Sequence, residues 1–411
     1  MATQRSSDRR SQFVALGLMY FAQGLPSGLA FNALGVLIRD GGHSVSDVSL
    51  TGLAFLPWAL KFLWAGPIEN WCARRSHAYV VGATQWLAIV LCLLLANFPP
   101  STELYLCVAG AVALNLVCAT QDIVTNAYAV ARMRGRTAGA ANAIQVSAFI
   151  GGMLAGGGGL LVVYQHWGWA VAMQGLAGLM LLLYLPLLLG RRWRQPPATA
   201  AEGDPAPGPE GRVRLRDLRE HRDLGWALLI AILFKCAGTA VATLLQPWLI
   251  DHGMSVAQAG GLQVSNLVAS AVGGVVIGIP LIRWLGDRGA VLASLAGATL
   301  LLGTAWGLQA AQVSDVRVIF AAFAVQSLAE GAMYVTVWAL FMNWASPRRP
   351  GTDYTVMQCC ESLSNAAAAA VIGGLGQALG YRYAFGLAWA AALVALLLIA
   401  LGLRRLEGAV R

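Results

Sequence analysis

The sequence predicts an all-α membrane protein of about twelve transmembrane helices, set out as two six-helix bundles with both termini in the cytoplasm. Two observations of composition and one of charge placement predict it. Hydrophobic residues make up 58% of the 411 positions. Charged residues make up only 11%, against the roughly one quarter that solvates a soluble domain. Arginine, finally, collects between long apolar runs and almost always on one side of them.

Runs of about 20 apolar residues are long enough to cross the hydrocarbon core of a bilayer. They fall near 13–38, 47–67, 78–97, 103–131, 138–164 and 167–190, and again near 224–249, 257–283, 289–308, 315–345, 352–379 and 382–403. With both termini inside, only Arg39, Arg317 and Arg382 lie on the far side. Cytoplasmic loops attract basic residues in this way. The long polar stretch 191–223 opens with Arg191, Arg192 and Arg194 and continues through Pro, Ala, Gly and acids. That composition makes a flexible tether, and its tail from Arg212 to Asp223 is expected to form a short amphipathic surface helix. The chain thus divides into an N-terminal bundle (1–190), a cytoplasmic linker (191–223) and a C-terminal bundle (224–411).

Several function classes drop out. The net charge of +9 is spread over short clusters without a continuous patch or an arginine-rich helix, which argues against nucleic acid. The seven cysteines include no C-x-x-C pair and are expected to be reduced packing residues. The five histidines (His43, His77, His166, His221 and His252) fall in loops or at span ends without ligand spacing, so no metal, no cofactor and no enzyme activity is expected. The apolar run from Phe13 is too long for the core of a cleavable signal peptide.

Ionisable groups inside spans are costly and mark cavities by default. Of 28 Lys+Arg, only Lys61 and Lys235 are lysines, and both lie within spans. A compact, titratable ammonium suits reversible binding of an anionic substrate; the bland reading is snorkelling to an interface. The acids are Asp122 in span 4, Glu330 in span 10 and Glu361 in span 11. They read either as carriers of a coupling proton and counter-charges of the lysines, or as structural interhelix hydrogen bonds. Gln121, Thr125 and Tyr128 line a helical side with Asp122 and Asn126, and Tyr354, Gln358, Glu361 and Asn365 form a second stripe. Gln326, Glu330 and Tyr334 repeat at i, i+4 and i+8. Trp58, beside Lys61, and Trp338 are candidate aromatic platforms for a ligand, with an interfacial tryptophan belt as the alternative. The expected binding set is therefore Lys61, Lys235, Gln23, Trp58, Gln121, Tyr128, Tyr334, Trp338, Gln358 and Asn365. Glu69, Asp287, Arg288 and Asp353 stand near cytoplasmic span ends and are expected to make gate or loop contacts.

Two sets of residues carry a resemblance. The six-plus-six plan with Gly286-Asp287-Arg288-Gly289 in loop 8–9 resembles the major facilitator superfamily, while loop 2–3 keeps a degenerate counterpart with Glu69-Asn70 in place of Asp-Arg. Tyr20-Phe21-Ala22-Gln23-Gly24-Leu25-Pro26, Leu56 to Trp64 and Ala119-Thr120-Gln121-Asp122-Ile123 resemble signatures of the AmpG-like permeases, with Lys235-x-x-Gly238 in the second half. The resemblance implies a multi-pass permease of the bacterial inner membrane, surrounded by lipid and acting as a monomer. Its branches import muropeptides or ferric siderophores. Asn126 and Thr239 stand where the muropeptide pattern has further acids, and the chain lacks the extra spans of the longer muropeptide permeases. The expectation is therefore a siderophore permease similar to the pyochelin transporter, proton-coupled, with iron present only within the chelated substrate. Muropeptide import, and export of a drug or metabolite by the same fold, are the alternatives. The mechanism implied is rocker-type alternating access between 1–190 and 224–411 around a midplane site.

Overall fold

Helix is the only regular structure among the described residues of the computed structural model, which are 2–190, 192–194, 212–221 and 223–405. The segment 195–211, most of the expected tether, lies outside them. Among the described residues, eight helical stretches are long and apolar enough to cross a membrane. Two of these, of 55 and 53 residues, are each two helices joined without a loop. The joints are Gly168 at φ 79° and Gly286 at φ 69°, a left-handed conformation that glycine adopts without penalty. Two further helices are too interrupted or too polar to register by hydropathy, and together these give twelve.

In chain order, α1 runs as Ala2–Gly28, a π-helical turn Leu29–Ala33 and Leu34–Asp40. α2 is Ser49–Phe55, Leu56–Leu60 and Phe62–Arg75, broken at Lys61. α3 is His77–Leu95 and α4 is Leu104–Met133. α5 comprises Ala138–Leu154, the π turn Ala155–Gly159 and the stretch up to Gly168; α6 continues to Leu189. α7 is Leu224–Asp251. α8 comprises Val256–Gly273, the π turn Gly274–Gly278 and the stretch up to Gly286; α9 continues to Ala310. α10 is Val316–Trp344, α11 Pro350–Leu379 and α12 Tyr381–Arg405. Local chemistry sets several starts: Ser255 and Gln258 form a reciprocal capping box on α8, and Asp315 caps α10. The expected helix at the end of the linker is instead a six-residue 3₁₀ turn, Leu215–Glu220. A helix this short cannot repay nucleation, and its one buried residue, Leu218, gives it little to dock with.

The helices form two compact units: Met1–Met133 with Ile144–Asp217 and Ser346–Thr355, and Arg134–Ala143 with Leu218–Ala345 and Val356–Arg411. In the first unit, α1 and α5 touch backbone to backbone. A Cβ on Gly24 would sit 2.3 Å from Phe149 O, one on Gly152 2.2 Å from Phe21 O, and one on Gly156 1.9 Å from Leu25 O. The glycine run is thus a packing surface, the membrane counterpart of small-residue interfaces. In the second unit α8 and α10 meet in the same way, where Gly331 would clash at 1.8 Å with Ser270 O. Apolar clusters complete each unit, around Leu25, Leu114 and Met173 in the first and around Leu244, Trp248 and Phe385 in the second. Outward-facing positions such as Leu182, Leu300 and Leu397 are large and apolar, whereas polar Gln23, Asn115, Asp122 and Asn126 are fully enclosed. This inversion of the soluble pattern is what lipid as solvent dictates.

Candidate substrate and coupling site

The break in α2 presents Lys61 to α4. Pro57 lies in the first turn of the segment before the break, and Trp64 N donates back to Lys61 O as the helix restarts. The Lys61 ammonium forms an ion pair with Asp122, and both residues are only 3% exposed. Asn126 Nδ2 donates to Asp122 Oδ2 at 2.8 Å, and Tyr20 OH in turn donates to Asn126 Oδ1 at 2.6 Å. The Trp58 ring lies 5.1 Å below the ammonium, and its Nε1 donates to Asn115 Oδ1 at 2.9 Å. Gln23 Nε2 donates to Thr125 Oγ1 at 2.8 Å, tying α1 to α4 beside this network.

This geometry gives three of the expected binding residues partners within the protein. Lys61 is paired with Asp122 and almost fully buried. Gln121 donates to Gln85 Oε1 at 3.0 Å, and Gln85 donates to Met180 O, so Gln121 stitches α4 to α3 and α6. Tyr128 donates to Trp193 O at 3.1 Å and stacks under Arg132, which places it in the anchor of the chain leaving α6. Tyr20 and Asn115 were not singled out by sequence, although Tyr20 lies one turn before Gln23 and therefore on its face.

The second unit holds a different arrangement. Lys235 lies roughly 16 Å along α7 from its start, too deep to snorkel. Its side chain is 39% exposed, and its Nζ is 3.5 Å from Glu361 Oε1 and 4.5 Å from the centre of the Tyr334 ring. Glu361 also accepts from Asn365 Nδ2 at 3.3 Å and faces Tyr334 OH at 3.5 Å. Phe234, Tyr334 and Trp338 form a triangle of rings with centroids 5.9 to 6.3 Å apart. Gln358, one turn before Glu361, is half-buried. Glu330, at the midpoint of α10, accepts from Gln326 Nε2 at 3.0 Å.

The loop acids hold helix starts. Glu69 accepts from Gly351 N at 2.8 Å, Thr352 N at 2.9 Å and Thr352 Oγ1 at 2.5 Å, all in the first turn of α11. These are the free donors of a helix N-terminus. Burial pushes the Glu69 carboxyl up to about 7, against the lowering effect of those hydrogen bonds. Asp353, fully buried, pairs with Arg349 at 3.0 Å and accepts from Ser346 N. Asp287 accepts from Asn343 Nδ2 at 2.6 Å, and Asn343 accepts from Gly135 N through its own oxygen. Arg288 is half-buried beside them. Asn70, in the degenerate motif, makes a two-way bond with the linker: Nδ2 to Val213 O and Val213 N to Oδ1, both 2.9 Å.

A sequence profile described as Major Facilitator Superfamily matches residues 16–278 and 261–410. The chain belongs to the major facilitator superfamily. This superfamily member is a multi-pass membrane transporter, and it is similar over most of its length to the anhydromuropeptide permease of Escherichia coli strain K12. The two are 25% identical over 407 residues, covering 95% of this chain and 79% of that one. Among solved structures it resembles the E. coli fucose:proton symporter, with a TM-score of 0.68, 14% identity and coverage of 96% and 98%. It also resembles a bacterial homologue of the iron transporter ferroportin in its outward-facing state, with a TM-score of 0.70, 14% identity and coverage of 95% and 98%. Both likenesses are of fold.

Proposed function

We propose that the protein is an inner-membrane permease that imports an anionic solute by alternating access, with Lys235 receiving the anion. The observation that carries this reading is the half-exposed lysine deep in α7, backed by three aromatic rings. An exposed ammonium at that depth faces water rather than lipid, and an incoming carboxylate would exchange with Glu361. Lys61, the other intramembrane lysine, is already neutralised by Asp122.

The substrate class with most support is a sugar-peptide of the anhydromuropeptide type, which is what the E. coli relative is named for and which carries carboxylates. A ferric siderophore is the second reading. It is favoured by the ring triangle beside Lys235, which suits an aromatic chelate better than a hydroxyl-rich sugar. Purified protein tested by thermal shift against an anhydromuropeptide and a ferric chelate separates the two. The reading requires that one of them stabilise the wild type and that Lys235→Ala weaken that binding about 10- to 150-fold, the worth of a charge-assisted hydrogen bond. Stabilisation by neither ligand, or an unchanged response in Lys235→Ala, refutes it.

A further inference from the structure

Each of the three intramembrane acids has a carboxamide one helical turn away that donates to it: Asn126 to Asp122, Gln326 to Glu330 and Asn365 to Glu361. The three pairs differ in what surrounds them. Asp122 has the Lys61 ammonium, and the oxygen of its amide partner is taken by Tyr20. The groups that face Asp122 are donors, as an ionised acid requires. Glu361 likewise faces donors: Lys235, Asn365 and Tyr334. Glu330 has no cation within ion-pairing distance among the described residues.

The second unit therefore places two carboxyls and one lysine among its spans. Ionising both acids would leave a net negative charge in a low-dielectric interior, which costs several kcal/mol or more and is relieved by binding a proton. The geometry assigns that proton. Glu330 lies against Gly238 of α7 and borders a small cavity with room for about one water molecule. The other cavity walls come from α7, α9, α10 and α12 and include no titratable side chain. The charged group that acts on Glu330 from a neighbouring helix is Lys235 of α7, which is itself paired with Glu361 of α11. The oxygen of Gln326 is buried without a partner. An amide can serve both states: its nitrogen donates to a carboxylate and, after a flip, its oxygen accepts from a carboxylic acid.

We propose that Glu330 is the proton-carrying carboxyl of this transporter, with Gln326 as its positioning residue, and that Asp122 is a fixed structural ion. The assignment rests on the permease reading above for its role in transport. The transfer itself is a proton dissociation: the Glu330 O–H bond breaks, its electron pair stays on the carboxylate, and the proton passes to water at the cavity.

The test does not depend on knowing the substrate. Infrared difference spectra of the purified protein report the carbonyl stretch of protonated carboxyl groups. At neutral pH that band should lose one component in Glu330→Gln and keep it in Asp122→Asn and Glu361→Gln. Gln326→Leu should shift the Glu330 component, because its hydrogen-bond partner is gone, and Glu330→Asp should restore a band. A band unchanged by Glu330→Gln, or one lost instead in Asp122→Asn, overturns the assignment. In proteoliposomes loaded with the solute that stabilises the wild type, Glu330→Gln should keep counterflow exchange and lose accumulation driven by a proton gradient. Accumulation at the wild-type level overturns the coupling role even where the spectra hold. A wild type that transports neither the anhydromuropeptide nor the ferric chelate counts against the substrate reading and leaves the spectroscopic outcome standing.

Discussion

Removing one partner of the Lys61–Asp122 pair is the most informative perturbation of the first unit. Lys61→Met deletes the cation paired with Asp122 while keeping the length of the side chain. Asp122 then keeps the Asn126 amide as a donor but loses its counter-charge, in a site only 3% exposed. A buried charge stripped of its partner typically costs about 3–5 kcal/mol, which is about two to three and a half orders of magnitude in the folding equilibrium. The double variant Lys61→Met/Asp122→Asn removes both charges and leaves two neutral side chains, the amide at 122 still able to bond Asn126. Most of the loss should return, giving a coupling energy of about 2 kcal/mol or more between the two sites. The assay is reversible unfolding in mixed micelles, with the four proteins of the cycle measured side by side. If the single and double variants are equally unstable, Lys61 contributes by packing alone. If Lys61→Met is as stable as the wild type yet loses substrate binding, the lysine is a ligand and the structural assignment is wrong.

The Glu69 contact should be pH-dependent. Its carboxyl has a raised value of about 7 where it meets α11, against 4.5 when free, so forming the contact takes up a proton between those limits. The contribution is complete below about 4.5, declines as pH rises to about 7 and is then flat. Hydrogen exchange of residues 346–355 should show that decline in the wild type, and Glu69→Gln should abolish it. Gly156→Ala sets a methyl group against Leu25 O, and an overpacked contact of this kind should cost about 1–3 kcal/mol or more in thermal unfolding. Asn70→Ala removes two hydrogen bonds to Val213, worth about 1 kcal/mol each, and trypsin should then cut faster at Arg212, Arg214 and Arg216.

Much of the helix layout is legible in hydropathy, because span length is set by bilayer thickness and punctuated by arginine and glycine. The expected span 224–249 lies within α7, Leu224–Asp251, and the expected breaks near 165 and 286 coincide with Gly168 and Gly286. The interruption at Lys61 and the π turns are illegible, since they arise from packing between helices distant in sequence. The site was legible as a list of polar residues but not as a set of partners. Lys61 and Lys235 look alike in sequence, both deep in apolar runs. What separates them is the facing helix: α4 brings an acid and its amide close enough to saturate Lys61, while Lys235 stays half-exposed over Tyr334. That difference depends on the rotational phase of each helix, which an apolar background does not record. The partner of Tyr128 was illegible for the same reason, as its hydroxyl turns toward Trp193.

The glycine seam between α1 and α5 has a mechanical consequence. Where backbones lie within atomic contact at Gly24, Gly28, Gly152 and Gly156, no compressible side-chain layer separates them. Such a seam transmits force like a weld: the two rods cannot slide or twist past each other without breaking several contacts at once. The weld runs on into the π turn Ala155–Gly159 through Gly156, so α1 and α5 must move through a transport cycle as one rod, and any deformation is taken up elsewhere.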